Sequence, residues 1–277
     1  MLAALVVAAC ALAFGVLEAE FGLSDVPGEA EFGVPSSEAA VRLYLQPVQI
    51  DPVNESLQVR ISLVPDPSAA EPSTIADRNF LLRIRRGNQV EHVPIRANQA
   101  LPELTYEFDL DGGNVRGYPL DRYVSVMRLA AVEQAPDGTE KPLPIHFTAW
   151  EGILGFDVKG YATETKVPGE LQFQFSFRRD GAVLFFGIAM YAAMIVMALC
   201  ALIIGVLTFV GFRRIEATLV GALGAVIFAL PALRNALPGS PPIGIRADTL
   251  IFFWAELGAV IGLCLFVAAW ARHGARP

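Results

Sequence analysis

Residues 182–212 read AVLFFGIAMYAAMIVMALCALIIGVLTFVGF, 31 positions without a formal charge. A helix rises about 1.5 Å per residue and needs about 20 apolar residues to cross the hydrocarbon core of a bilayer. The run is therefore long enough to span with some tilt. Two more apolar runs follow, 215–233 and 250–271, separated only by Arg213-Arg214 and by the Pro/Gly-rich segment Arg234–Thr249. Trp254 and Trp270 stand near the two ends of the last run, where indoles favour the headgroup region. The chain also opens on an apolar stretch, 1–17, closed by Glu18 and Glu20. Without a basic n-region or a clear small-residue cleavage site, it reads as an uncleaved transmembrane anchor rather than a signal peptide. The expectation is an α+β membrane protein: an N-terminal anchor, a hydrophilic domain, and a three-helix transmembrane domain over 182–271.

Short cytoplasmic connections retain Arg and Lys. Arg213 and Arg214 mark one such connection, and Arg272 and Arg276 in the tail 272–277 mark the same side. Both termini are then expected in the cytoplasm, with the hydrophilic segment outside an integral plasma (inner) membrane. Arg178 and Arg179 flank the first span on the outer side and run against this pattern, although Asp180 stands beside them as a partner.

Residues 18–40 carry acidic side chains, prolines and Ser36-Ser37 and read as a linker. From 41 to 180 the pattern is all-β. Val41–Gln49, Ser56–Val64, Phe80–Arg85, Glu103–Leu110, Tyr123–Val132, Pro142–Trp150, Ile153–Tyr161 and Glu170–Phe177 alternate apolar with polar residues. Asp111-Gly112-Gly113, Pro136-Asp137-Gly138 and Pro168-Gly169 supply turns between them. About eight strands at this spacing predict an extracytoplasmic β-sandwich. Ala69–Ser73 marks a further loop.

Charge narrows the partners. Residues 22–180 hold 23 Asp or Glu against 15 Lys or Arg and show no basic stripe, which argues against nucleic acid. Membrane lipids and a protein partner or second copies of the chain remain. Cys10, Cys200 and Cys264 all fall in the apolar runs, so the outer domain has no disulfide and must be held by its core.

No nucleophile elbow, phosphate-binding glycine loop or zinc-helix motif is present. His92 and His146 sit in strand patterns and His273 in the tail, none with a Cys or His at metal spacing. The expectation is a non-enzymatic protein without a cofactor. Asp109, Asp111 and Asn114 around Gly112-Gly113 form a weak calcium candidate; the bidentate Glu of the helix–loop–helix site is missing, and a hairpin turn needs the same residues. Next comes Tyr118-Pro119-Leu120-Asp121-Arg122-Tyr123, an organised loop in which Pro119 fixes the turn and Asp121 accepts backbone bonds. A second role would place this loop against the connection Arg234–Thr249.

In the membrane, Ala217, Gly221 and Ala225 share one face of the middle span, and Gly258 and Gly262 form G-x-x-x-G in the last. Small residues at that spacing let helices approach, within one chain or between protomers. Glu256 is the acid clearly inside a span, two residues past Trp254. It is expected to pair with Arg234 or Arg246, or to reach the interface.

Three blocks, Tyr118–Tyr123, Arg234–Pro242 and Asp248–Glu256, resemble the signatures of a bacterial and fungal membrane family known as domain-of-unknown-function family 4436. The resemblance implies the layout of one plus three spans over nearly the whole chain, Asn235 included, and no activity. A fainter similarity is to pentameric ligand-gated ion channels. These join an outer β-sandwich to membrane helices through a Phe-Pro-Phe-Asp type loop facing a proline-bearing link, as Tyr118–Asp121 and Leu237–Asp248 do in order. A fourth helix after Ala271 is missing from that pattern, and the middle span offers only Glu216 and Thr218 as polar lining.

Two function classes follow. One is an envelope component whose sandwich binds a protein, lipid or glycan, as an accessory to a transporter or synthase. The other is an oligomeric receptor coupling sandwich to helices through 118–123 and 234–248. In both, Asp121 and Glu256 are expected to support the contact through Arg234 or Arg246.

Overall fold

A computed structural model describes residues 15, 28–64, 76, 78–87, 89–100, 102–135, 139–165, 167 and 169–273. The expected anchor over 1–17, Gly15 apart, and the loop at 69–73 lie outside the described residues. The chain divides into two compact units. The first runs to Asn114 and resumes over Arg122–Asp180, while the second consists of Val115–Asp121 and the chain from Gly181 onward.

The first unit holds twelve strands among the described residues: β1 Glu29–Gly33, β2 Val41–Asp51, β3 Ser56–Leu63, β4 Phe80–Arg86, β5 Gln89–Ile95, β6 Glu103–Asp109, β7 Arg122–Gln134, β8 Glu140–Leu143, β9 Ile145–Trp150, β10 Gly152–Ile153, β11 Phe156–Glu164 and β12 Glu170–Arg179. They form two sheets, β1-β9-β2-β3-β6 and β10-β11-β12-β7-β4-β5, with β8 paired to β7. All pairings are antiparallel except β2 with β9.

Alternation builds the core. Leu43 and Leu45 of β2, Leu57, Val59 and Ile61 of β3, and Met127 and Leu129 of β7 all turn inward. Phe173, Phe175 and Phe177 do the same from β12. Phe173 meets Phe147 edge to face at 4.9 Å and Phe175 at 4.6 Å. Each fully buried phenyl ring is worth about 1.5–3 kcal/mol, so this aromatic column substitutes for the absent disulfide. His146 is a core histidine whose Nδ1–H donates to the Val34 carbonyl at 2.9 Å.

Two expectations are corrected. Residues 29–33 are a strand rather than linker, because Phe32 stacks on Phe147 at 5.4 Å while Glu29 and Glu31 alternate with it. The strand number is twelve rather than about eight because β1 and β5 lie outside the eight expected runs and two of those runs are each split. Pro144 divides β8 from β9, and the turn Leu154-Gly155, with Gly155 at φ +83°, divides β10 from β11.

The β2–β3 turn is organised by Asp51, whose Oδ1 accepts the Val53 and Asn54 amides at 2.9 and 3.0 Å and whose Oδ2 accepts Asn54 Nδ2 at 2.8 Å. The Asn54 bonds hold this carboxyl below its ordinary range. A depressed carboxyl stabilises above its unfolded value and loses that contribution as pH falls through its folded one. Asp51→Ala should therefore lower the melting temperature at pH 6 by an amount worth under about 1 kcal/mol. Scans at pH 6 and pH 2 check it, the difference closing at the lower pH.

The second unit contains α1 Gly181–Phe209, α2 Thr218–Asn235 and α3 Phe253–His273, the last entered through a π-helical turn Asp248–Phe252. Among the described residues three helices are long and apolar enough to cross a membrane: Gly181–Phe209, Thr218–Asn235 and Asp248–Arg272. The chain is a membrane protein. Phe186, Ile188, Val196, Ile203, Phe228, Trp254 and Trp270 are exposed along these helices, a distribution suited to lipid rather than water. The ends differ slightly from 182–212, 215–233 and 250–271. α1 stops at Phe209 because Gly211, at φ +86°, turns the chain, and α3 continues through His273.

The α1 face buried within the unit consists of Gly187, Tyr191, Met194, Ala198, Ala201, Gly205 and Thr208. It packs on Ala255, Ala259, Gly262 and Phe266 of α3. At the crossing Gly205 faces the Gly262 backbone, and Gly262 faces Ala201. Gly258 lies in ordinary contact range of Ala198. Gly258 and Gly262 thus serve packing within the chain. Gly221 is exposed on α2 and meets nothing within 4 Å.

Candidate functional site

α2 ends at Arg234-Asn235, and the connection that follows is rich in Pro and Gly. Proline has no N–H, so carbonyls in such a link need donors from elsewhere. Arg234 supplies them. Its Nη1 donates to Pro241 O at 2.8 Å and its Nη2 to Pro242 O at 2.7 Å. The same guanidinium grips Asp248 with two bonds, Nε to Oδ1 at 3.1 Å and Nη2 to Oδ2 at 2.7 Å. Asp248 is 0 % exposed and Arg234 5 %.

The rest of the carboxylate is also satisfied. Oδ1 accepts the Tyr191 hydroxyl at 3.2 Å, and Oδ2 accepts the Gly244 amide at 2.9 Å. Gly244 sits at φ +98°, a conformation that glycine adopts without the penalty a side chain would bring. A buried ion pair persists where its remaining donors and acceptors are matched. Here the pair closes the 234–248 link into a loop and sets the start of the π turn.

Val115–Asp121, the second part of the connection between β6 and β7, belongs to the same unit. A short turn, Val115–Gly117, leads into it, and the Tyr118 and Leu120 amides bond back to Val115 O and Gly117 O at 3.1 and 2.9 Å. The Tyr118-Pro119 peptide is cis. Tyr118 is buried in one cluster with Tyr191, Met194, Leu237 and Ile245. A Cβ on Gly187 would stand 3.3 Å from Tyr118 Oη and 3.4 Å from Pro119 Cβ. One helical turn further along α1 is Tyr191. Loop, α1 and link are thereby packed as one body. Gly187→Leu should displace Tyr118 and Pro119 and cost about 1–3 kcal/mol by overpacking. Thermal unfolding in detergent checks it, with Gly221→Leu as the neutral comparison.

The remaining expected residues separate into two groups. Asp121 is 4 % exposed in the loop, and Arg122 already lies in the sandwich as the exposed first residue of β7. Asn235 and Arg246 are exposed. The expected pairing of Glu256 with Arg234 or Arg246 is corrected: Arg234 is engaged by Asp248, and Glu256 Oε2 is buried without a hydrogen-bond partner among the described residues. Asp109 and Asp111 share a cleft with Arg85, Arg86 and Arg128, charges that oppose a calcium ion. No group of three or more His, Cys, Asp or Glu side chains among the described residues is placed to hold a metal. Sequence reasoning missed Tyr191. Its signal is a tyrosine in a 29-residue apolar helix, where a buried hydroxyl calls for a partner.

The architecture defines a class: a β-sandwich followed by three apolar helices, with one sandwich loop assigned to the helical unit. The profile described as Domain of unknown function (DUF4436) matches residues 31–175, and the chain belongs to that family. A second profile, Domain of unknown function (DUF8686), matches residues 179–273. The join between the two matches falls near the boundary at Asp180 and Gly181. A comparison with curated proteins gave no match.

Proposed function

We propose that the chain is a non-enzymatic integral membrane protein of the cell envelope whose sandwich, outside the plasma membrane, binds a protein, lipid or glycan partner as an accessory to a transporter or synthase. The supporting observation is that Val115–Asp121, strung in the chain between β6 and β7, packs in the helical unit on the side of α1 that carries the Tyr191–Asp248–Arg234 cluster. The orientation follows from Arg213 and Arg214 between α1 and α2, retained on the cytoplasmic side.

A second reading, an oligomeric receptor of ligand-gated-channel type, draws on the same loop-to-link packing and on the open small-residue face of α2 at Gly221. Native mass spectrometry of the nanodisc-embedded complex separates them. A monomer or dimer carrying a stoichiometric protein, lipid or glycan supports the first reading, and a closed ring of about five identical subunits supports the second.

A further inference from the structure

Along one edge of β7 the pairing with β4 ends at Arg85 opposite Arg128. The next partner on that edge is Asp111, bridged to Val124. Between these two points no strand among the described residues pairs with this edge of β7, and a cleft of about 210 Å³ lined by Phe108 and Val126 opens there. By the ~30 Å³ share of a water molecule, it has room for roughly seven such volumes.

Opposite charges stand on its walls without neutralising one another. Arg85 and Arg128 face each other across the strands, an arrangement of like charges that is unfavourable unless an anion compensates it. Arg85 Nε forms an ion pair with Glu170 Oε1 at 3.4 Å, which meets part of its charge and leaves the Arg128 guanidinium the less compensated of the two. Arg128 Nε bonds only the neutral Gln172 Oε1, at 3.1 Å, and among the described residues Arg128 has no carboxylate partner. On the other wall the Asp109 and Asp111 carboxylates take no hydrogen bond or ion pair among the described residues, although the Asp109 backbone carbonyl accepts Ser125 Oγ at 2.9 Å. Arg86 is already engaged by Glu91 and the Glu107 carbonyl, both at 3.1 Å, and lies over the Tyr106 ring; it is wall rather than ligand.

We propose that this cleft binds a small zwitterion of the phosphoethanolamine type, its phosphate on the Arg85 and Arg128 guanidiniums and its ammonium on the Asp109 and Asp111 carboxylates. Two forked guanidiniums offer more donors than one carboxylate accepts and suit the oxygens of a phosphate. Two adjacent carboxylates suit the three donors of an ammonium. A bare anion would meet the acidic wall, and a bare cation the basic one. The proposal goes beyond partner binding and does not depend on it: loss of the site with a partner still co-purifying would sink this inference alone.

The test is calorimetric titration of the full chain, in detergent free of phospholipid, with O-phosphoethanolamine, inorganic phosphate and ethanolamine. Saturable binding is expected for O-phosphoethanolamine, at least about tenfold tighter than for either fragment. Arg128→Gln should weaken it by about tenfold or more, and Asp111→Asn by a similar factor without weakening phosphate. A short-chain phosphatidylethanolamine that binds more tightly than O-phosphoethanolamine identifies a lipid headgroup as the source, and one that binds no better identifies a free solute. The absence of saturable binding overturns the proposal. So does equal affinity for phosphate and O-phosphoethanolamine with both tightened by Asp111→Asn, which would reveal a simple anion site. Unchanged melting temperatures of both variants keep the comparison free of folding effects.

Discussion

Asp248→Ala is expected to lower the stability of the helical unit by about 3–5 kcal/mol, the loss that follows when one partner of a buried ion pair is removed. The reason lies in what stays behind. Arg234 would keep its charge at 5 % exposure with only the Pro241 and Pro242 carbonyls to meet it, while the Tyr191 hydroxyl and the Gly244 amide would each lose their acceptor. Asp248→Asn should fall between the two, since the amide preserves shape but one of its ends donates where Arg234 also donates. The combined replacement Arg234→Met with Asp248→Leu should cost less than either charge deletion alone, because no uncompensated charge remains. Unfolding of the native protein, Arg234→Met, Asp248→Leu and the double variant in detergent measures the cycle. Additive losses would show that the two residues do not act as a pair.

The second large effect is expected at the α1–α3 crossing. A Cβ on Gly262 would come within 2.5 Å of Ala201 O and within 2.7 Å of its carbonyl carbon. These are backbone atoms and cannot swing aside. Gly262→Leu must therefore separate the helices along a face where Ala255, Ala259, Phe266 and Ala269 are buried, with a cost of about 3 kcal/mol or more. Gly221→Leu has open space around it and should leave the monomer's melting temperature within about 0.5 kcal/mol of native. If it breaks up an assembly, α2 is a protomer contact and the oligomeric reading gains. Gly262→Leu with native stability would contradict the packing described for the crossing.

The helices were legible because lipid-spanning segments must be apolar along their whole length, and composition alone shows that. Most strands were legible through alternation, and those that were missed have specific causes. β1 hid behind Glu29 and Glu31, since an edge strand with one half-buried Phe32 shows no run of apolar residues. β8 and β10 are short, and Pro144 and Gly155 look like turn residues inside longer strands. At the candidate site Arg234 and Asp248 could each be singled out, yet their pairing could not. They are 14 residues apart across an irregular link, where no helical or strand period fixes who meets whom. Glu256 drew attention as a membrane carboxylate, while the acid that engages Arg234 stands at the mouth of the span. Tyr191 was concealed by its apolar neighbours, and its role appears only once α1 is laid beside the link.

The central claim is that residues 115–121 form part of the helical unit, held there by the packing around Tyr191, Asp248 and Arg234. Hydrogen exchange across 115–121 in the native full chain, compared with Asp248→Asn, tests it most directly. The account predicts slow exchange in the native chain, comparable with α1, and at least about tenfold faster exchange in the variant while β12 is unchanged. Exchange in native 115–121 as fast as in an unstructured peptide of the same sequence, or protection that is the same in both proteins, would contradict it.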